Sequence, residues 1–250
     1  MIPKSVAVIG ENKLAQQLFR CLEEQGIEHL YVNTYTHLRD VDVVIETTNL
    51  NLEQKKKNLQ EIEKHTSNTT TILTTSLSVT ATESASWLTH PDRVIGFGTF
   101  SNFTDYPLIE MAMPLQGDNL HKEKIAGLFQ LIGKEVEIVQ DEVGLVYPRI
   151  LSLIINEAAF ALTEQVANVE DIDIAMKKGT NYPKGPLEWA EQIGIDDILA
   201  VLTGLYRQFG EERYRPCPLI RKLVQAGWVG EESGKGFYHY ERRNMKEYSR

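Results

Sequence analysis

The sequence predicts an α/β half built on a parallel sheet, followed by an all-helical half. Three observations predict it. Short β-branched runs alternate with polar helical stretches as far as residue 140. Those runs are mostly continuous in apolar or β-branched residues, the pattern of strands covered by helices on both faces. After Gly144 the apolar residues take up helical spacing instead. The change divides the chain into two domains, residues 1–142 and 143–250.

In chain order, the strands of the first half are Ser5–Ile9, a second near Leu30-Tyr31-Val32, then Val41–Ile45, Thr70–Thr75, Arg93–Phe97, Leu108–Met113 and Val136–Val139. Lys13–Gln25 is helical, with Leu14, Leu18, Phe19 and Leu22 on one face. Leu52–His65 is a Lys/Glu-rich helix that turns Leu52, Leu59 and Ile62 inward. The Thr-rich stretch Thr66–Thr82 fits a strand and a loop. In the second half a long helix carries Ile150, Leu151, Ile154, Ile155, Ala158, Ala159 and Leu162, and is apolar over most of its circumference. Such a helix sits in a bundle centre or at an oligomer interface. Helices Val169–Lys178, Pro186–Ile193, Asp196–Phe209 and Pro218–Ala226 follow, separated by Gly/Pro turns, with a strand pattern only at Gly236-Phe237-Tyr238. Glu241–Arg250 reads as a frayed, charged tail.

Composition excludes several classes. The chain has 250 residues, room for two modest domains. Its 26 Lys+Arg and 35 Asp+Glu give a net charge of -9, a poor match to non-specific nucleic-acid binding. No apolar run approaches the ~18 residues of a membrane helix. The opening run Val6–Gly10 is too short for a signal-peptide core. Cys21 and Cys217 form no CxxC pair, so a cytoplasmic location is expected. The six histidines lack zinc-site spacing, and no metal is expected.

The first site with chemistry is Val6–Ala15. A strand, a glycine turn and a helix form the dinucleotide-binding architecture, with the fingerprint G-x-G-x-x-G/A. Gly10 holds its first position, Asn12 its second and Ala15 its third. Asn12 departs from the glycine that lets a pyrophosphate approach the backbone. The acid expected on the ribose hydroxyls falls at Asn33, which carries no charge. Two readings stand at this point: a cofactor fold with weak binding, and one that has lost tight binding.

The second half carries the more specific motifs. Val169-Glu170-Asp171-Ile172-Asp173-Ile174-Ala175-Met176 precedes Gly179-Thr180-Asn181-Tyr182-Pro183-Lys184-Gly185-Pro186-Leu187-Glu188-Trp189. Ala226-Gly227-Trp228-Val229-Gly230 and Ser233-Gly234-Lys235-Gly236-Phe237-Tyr238 close the chain. With Asp42-Val43-Val44-Ile45-Glu46, Arg93-Val94-Ile95-Gly96 and Leu108-Ile109-Glu110 they keep one order. Together they resemble the 3-hydroxyacyl-CoA dehydrogenase family over nearly the whole chain.

The resemblance implies a Rossmann-like NAD-binding domain followed by an all-α C-terminal domain. It implies hydride transfer between NAD and carbon 3 of a 3-hydroxyacyl-CoA, within fatty-acid or related acyl-CoA metabolism. A His acts as general base and a Glu orients it. Self-association as a homodimer through the helical domain is implied too. Carried over position by position, the family's His falls on Gly98 and its Glu on Glu110. Its Ser aligns with Ser78, with Ser76 as a second candidate. Its Asn falls on Pro148, which suits the first turn of a helix but offers no amide. Of the cofactor contacts, Lys55 is kept, Leu50 replaces a Glu, and Ser101 stands for an Asn, with Asn102 beside it. The helical arm that contributes to acyl-CoA binding is missing, since Asn33 and Asp42 are nine positions apart.

Each retained residue has a plainer reading. Glu110 can be a hydrogen-bonded carboxylate at a strand end, Ser78 a loop hydroxyl, and Lys55 part of a solvated Lys55-Lys56-Lys57 face. Trp189 and Trp228 read as packing residues. His121 and Asp105 are conceivable substitutes for the base, though nothing in the sequence places them. Two functions follow: an NAD-dependent dehydrogenase with an altered site, or a non-catalytic dimeric relative that acts as a binding or scaffold protein.

Overall fold

The computed structural model describes residues 3–31, 35 and 38–239. Asn33 and the tail Glu241–Arg250 lie outside the described residues. The chain forms two compact units, residues 1–149 and 150–250.

The first unit is a seven-stranded sheet: β1 (Ser5–Ile9), β2 (Glu28–Tyr31), β3 (Val43–Glu46), β4 (Thr71–Thr75), β5 (Val94–Gly98), β6 (Leu108–Ala112) and β7 (Glu135–Val139). Their spatial order is β2-β1-β3-β4-β5-β6-β7. The chain leaves β1 towards one side and returns on the other, so a topological switch point lies between β1 and β3. Ligands of such sheets bind at the carboxyl ends of the strands beside that point. Alternate side chains go to opposite faces. Val6, Val8, Val43 and Ile45 pack with α1 (Lys13–Glu24) on one face. Ala7, Ile9, Val44 and Ile72 pack with Leu59 and Ile62 of α2 (Leu52–His65) on the other.

The expectation of a parallel sheet needs one correction. β5 and β6 pair antiparallel, whereas the other pairs are parallel. Only a short loop with a single 3₁₀ turn, Phe103–Asp105, joins them. A parallel return needs a crossover of a dozen residues or more, so this chain can only double back. Two helices were also not expected, the short α3 (Ala81–Ser86) and α4 (Asn119–Leu131).

The boundary between units falls beyond residue 142, inside α5 (Tyr147–Thr163). Pro148 sits in the first turn of that helix, where a missing N–H costs nothing. Unit two continues with α6 (Val169–Thr180), α7 (Pro186–Ile193), α8 (Ile195–Phe209) and α9 (Pro218–Gln225). The strand expected at Gly236-Phe237-Tyr238 is replaced by isolated bridges, Gly230 with Lys235 and Lys235 with His239.

The motif residues of unit two form one knot. Asp173 of α6 is buried and accepts the Leu187 and Glu188 N–H groups at the start of α7, both at 2.8 Å. It also accepts the Tyr238 hydroxyl at 2.7 Å. A Cβ at Gly185 would stand 2.1 Å from the Asp173 carboxyl carbon, so only glycine lets the carboxylate reach the helix. Glu191 of α7 accepts the Phe237 N–H, and a Cβ at Gly236 would meet it at 2.1 Å. Among the described residues, no helix is long and apolar enough to cross a membrane.

Asp173→Ala strands two N–H groups and a hydroxyl, and is expected to lower stability in urea by about 3 kcal/mol. Tyr238→Phe removes one hydrogen bond to a carboxylate and is expected to cost about 1.5 kcal/mol. Equal, sub-kilocalorie losses for both variants would contradict the knot.

Candidate functional site

Gly10, Asn12, Lys55, Ser78, Gly98 and Ser101 gather at the carboxyl ends of β1, β3, β4 and β5, and Glu110 faces Gly98 from β6. The β1–α1 turn comes first. Gly10 has φ +146°, a conformation that favours glycine. Asn12 is the N-cap of α1, and its Oδ1 accepts the Ala15 N–H at 3.0 Å. The same oxygen accepts the Thr47 hydroxyl at 2.9 Å, and Asn12 Nδ2 donates to the Thr47 carbonyl at 2.7 Å. The turn's position at the switch point, its glycine and the N-terminus of α1 fit a dinucleotide pyrophosphate. Asn12 is where that fit is contested.

At the end of β3 lies a buried ion pair. Lys55 of α2 is fully buried, which corrects the solvated-face reading, while Lys56 and Lys57 are exposed. Its Nζ donates to Glu46 Oε2 (2.7 Å), the Thr48 carbonyl (3.0 Å) and Thr75 Oγ1 (3.0 Å). An ammonium has three protons, and these acceptors account for all three. Burial pushes the Lys55 pKa down, and Glu46 opposes that shift. Glu46 in turn accepts from Thr74 Oγ1 (2.9 Å) and the Thr48 N–H (2.8 Å). A ligand could recruit Lys55 only by breaking one of these bonds.

Beyond β4, Ser78 is buried and donates to the Asn49 carbonyl at 2.6 Å. Ser76, the alternative, is fully buried, with its Oγ packed 2.4 Å from where a Cβ at Gly96 would be. Ser101 is fully buried at the end of β5. Asn102, beside it, is also buried.

Gly98 and Glu110 face each other as a cross-strand pair of β5 and β6. A Cβ on Gly98 would meet Leu145 at 2.8–3.3 Å, so Leu145 occupies the space an imidazole stem would need. Leu145 holds a positive φ of 50°, a conformation uncommon for a residue with a side chain. Glu110 is buried, and each of its carboxylate oxygens accepts a backbone N–H at 2.7 Å, one from Val146 and one from Tyr147. Burial raises the Glu110 pKa, and these two bonds pull it back. A cavity of about 170 Å³ with mostly apolar walls lies beside the pair, lined by Gly98, Glu110, Tyr106 and Tyr147 among others. A void of about 150 Å³ accommodates a benzene ring, so this one has room for a group of about that size. The Tyr147 pKa is pushed up, first by burial and then by Tyr106. Its hydroxyl therefore stays protonated.

The two substitute bases separate. His121 bonds Thr71 Oγ1 at 2.7 Å, at the amino end of β4 and away from Glu110. Asp105 is exposed, and its charge contributes to the Tyr147 shift. Sequence reasoning missed Thr47, Leu145 and Tyr147. Only the helix-opening Pro148-Arg149 pointed to that neighbourhood. Trp189 is buried against Tyr182 (ring centroids 5.3 Å apart), as a packing residue is. Trp228 is partly exposed, with the Lys235 ammonium 5.0 Å above its ring.

Comparison with known proteins gives a consistent result. Residues 7–142 match the 3-hydroxyacyl-CoA dehydrogenase NAD binding domain, and residues 144–240 match the C-terminal domain of the same enzymes. The chain is 35% identical over 210 residues to a probable 3-hydroxybutyryl-CoA dehydrogenase of Bacillus subtilis, covering 84% of this chain and 73% of that one. It is 32% identical over 247 residues to a 3-hydroxybutyryl-CoA dehydrogenase of Clostridioides difficile, covering 96% and 87%. Among solved structures, (S)-3-hydroxybutyryl-CoA dehydrogenase PaaH1 from Ralstonia eutropha aligns with a TM-score of 0.75 at 28% identity, covering 96% of this chain and 100% of that one. FadB2 of Mycobacterium tuberculosis shares the fold, with a TM-score of 0.86 at 21% identity over 96% and 100%.

Lys55→Met leaves Glu46 buried without its cation, and is expected to destabilise the protein by about 3–5 kcal/mol. Adding Glu46→Gln should recover most of that loss. A single variant as stable as the parent in urea would show that the pair is dispensable.

Proposed function

The chain belongs to the 3-hydroxyacyl-CoA dehydrogenase family, and on that premise we propose that it is a member whose dehydrogenase chemistry is impaired and whose role is to bind NAD and acyl-CoA. One observation carries this reading. Glu110 faces Gly98, and both of its oxygens are held by the Val146 and Tyr147 N–H groups. In this reading the site has neither a base at position 98 nor a free carboxylate to orient one. Loss of a positioned general base removes about 10²–10⁴-fold in rate. Pro148 in place of the family's Asn and the missing arm act in the same direction. Ser78, Lys55 and Ser101 then serve the fold around the site rather than a ligand. Asn12 lies where a pyrophosphate would approach, and for Asn33 the role in ribose binding stays part of the proposal.

The reading includes self-association through the helical unit. Ile150, Val166 and Ile174 are large apolar side chains left exposed there. It also includes a cytoplasmic location, which suits two free thiols.

A second reading, a working dehydrogenase with an altered site, is favoured by the cavity beside Gly98 and Glu110. Its protonated Tyr147 could donate a hydrogen bond to a substrate oxygen. Oxidation of NADH by acetoacetyl-CoA separates the two. Typical enzymes turn over at about 10 s⁻¹. The proposed reading expects no more than about 0.1 s⁻¹, two decades lower. Turnover near the ordinary value, abolished by Glu110→Gln, would overturn it.

Restoring the base tests the same reading from the other side. Gly98→His alone is expected to lower stability without restoring turnover, because the new Cβ meets Leu145. Combined with Leu145→Ala it should raise turnover at least about tenfold over the single variant. Full restoration by Gly98→His alone would contradict the role given to Leu145.

A further inference from the structure

We propose that Asn12 and Thr47 form a clasp that limits how closely a dinucleotide pyrophosphate seats on α1, with Thr47 as the positioning residue. The proposal rests on the family's NAD-binding domain and concerns binding alone. It holds whether or not turnover survives.

The geometry starts from an unmet need. The first N–H groups of a helix have no partner within it, and the positive end of the helix dipole faces the same way. A bound phosphate can meet that need, and so can a capping side chain. Here Asn12 meets part of it, with Oδ1 on the Ala15 N–H at 3.0 Å. Capping alone would leave the amide free to swing out when a phosphate arrives. Thr47 removes that freedom. Its hydroxyl lies 2.9 Å from Asn12 Oδ1 and 3.3 Å from the Ile9 carbonyl. A hydroxyl has one proton, and the shorter contact with Asn12 takes it. The Thr47 carbonyl also receives Asn12 Nδ2 at 2.7 Å. The amide is therefore pinned at both ends to the residue just past β3.

Thr47 is itself fixed. It is fully buried, and its N–H donates to the Ile9 carbonyl at 3.0 Å. Its Oγ1 lies 2.0 Å from where a Cβ on Gly10 would be. The hollow left by the motif's first glycine is thus filled by the threonine hydroxyl. Gly10 is required by Thr47 as well as by any ligand, so its presence does not report cofactor affinity. The carbonyl dipole of Asn12 stands at the mouth of α1 with its oxygen towards the N–H groups. A pyrophosphate must displace it or sit beside it, and both weaken binding.

Isothermal titration with NADH, in the absence of acyl-CoA, tests this on the full chain. Each unliganded variant is melted in parallel. Asn12→Gly removes the clasp while keeping an acceptable N-cap residue. It is expected to tighten NADH binding about tenfold, the worth of one or two neutral hydrogen bonds. Thr47→Ala should tighten it by a smaller factor, and Thr47→Ser, which keeps the hydroxyl, should match the parent. The double variant Asn12→Gly/Thr47→Ala should bind no better than Asn12→Gly, because Thr47 acts through Asn12. Asn12→Asp keeps the cap but sets a carboxylate oxygen against the Thr47 carbonyl in place of Nδ2, so its melting temperature should fall while the protein stays folded. Its negative charge at the helix mouth should weaken NADH about tenfold or more. NADH affinity unchanged or weakened in a folded Asn12→Gly protein would overturn the proposal. So would a Thr47→Ala effect that persists in full when Asn12 is already glycine.

Discussion

A carboxylate buried at a strand needs donors, and Glu110 finds two in the Val146 and Tyr147 N–H groups. Those groups lie at the start of α5, where helical N–H groups have no internal partner. One contact therefore satisfies both sides, and it fixes much of the surrounding structure. It ties the first turn of α5 to the sheet, and unit one accordingly extends to Arg149. It holds the chain at 144–146 so that Leu145 covers Gly98. It also sets Tyr147 against Tyr106, with ring centroids 5.5 Å apart, as a wall of the cavity.

The same economy recurs along the carboxyl ends of the strands. Lys55 gives its three protons to Glu46, Thr48 and Thr75. Asn12 and Thr47 satisfy each other across the first turn. Ser78 closes on the Asn49 carbonyl. Asn12, Lys55, Ser78 and Glu110, which the family resemblance would point at ligands, have internal partners instead. Most buried polar atoms in folded proteins are paired in this way. Internal pairing serves the fold well, but each such bond is one that a ligand must break or do without.

Much of the fold was legible in the sequence, because apolar periodicity marks elements whatever their partners. The strands from Ser5–Ile9 to Val136–Val139 and the helical second half follow from spacing alone. The return of β6 against β5 was readable but overlooked, since the ten residues between Phe97 and Leu108 are too few for a parallel crossover. Helix α4 left a readable signal that was overlooked: His121, Ile125, Leu128 and Phe129 share a buried face. Lys55 left one too, for it shares a face with Leu59 and Ile62 despite its lysine neighbours. The motif positions Gly10, Asn12, Ser78, Gly98 and Glu110 were legible as positions, but their partners were not. Thr47 lies 35 residues from Asn12, and Leu145 needs a positive φ that no local residue type announces. In unit two the reverse held. Asp173, Gly185 and Tyr238 were read as a family signature, and the structure supplies its physical content as a single hydrogen-bonded knot.

Glu110 holding the start of α5 is the contact on which the site turns. Amide hydrogen exchange at Val146 and Tyr147 measures that contact, because neither N–H has a partner inside the helix. Both amides are expected to be protected as well as the interior of α5 in the unliganded protein. Glu110→Ala should speed exchange at these two amides while the middle of the helix stays protected. Exchange at unprotected rates in the parent protein would mean that Glu110 is free, and would return it to the role of a catalytic carboxylate.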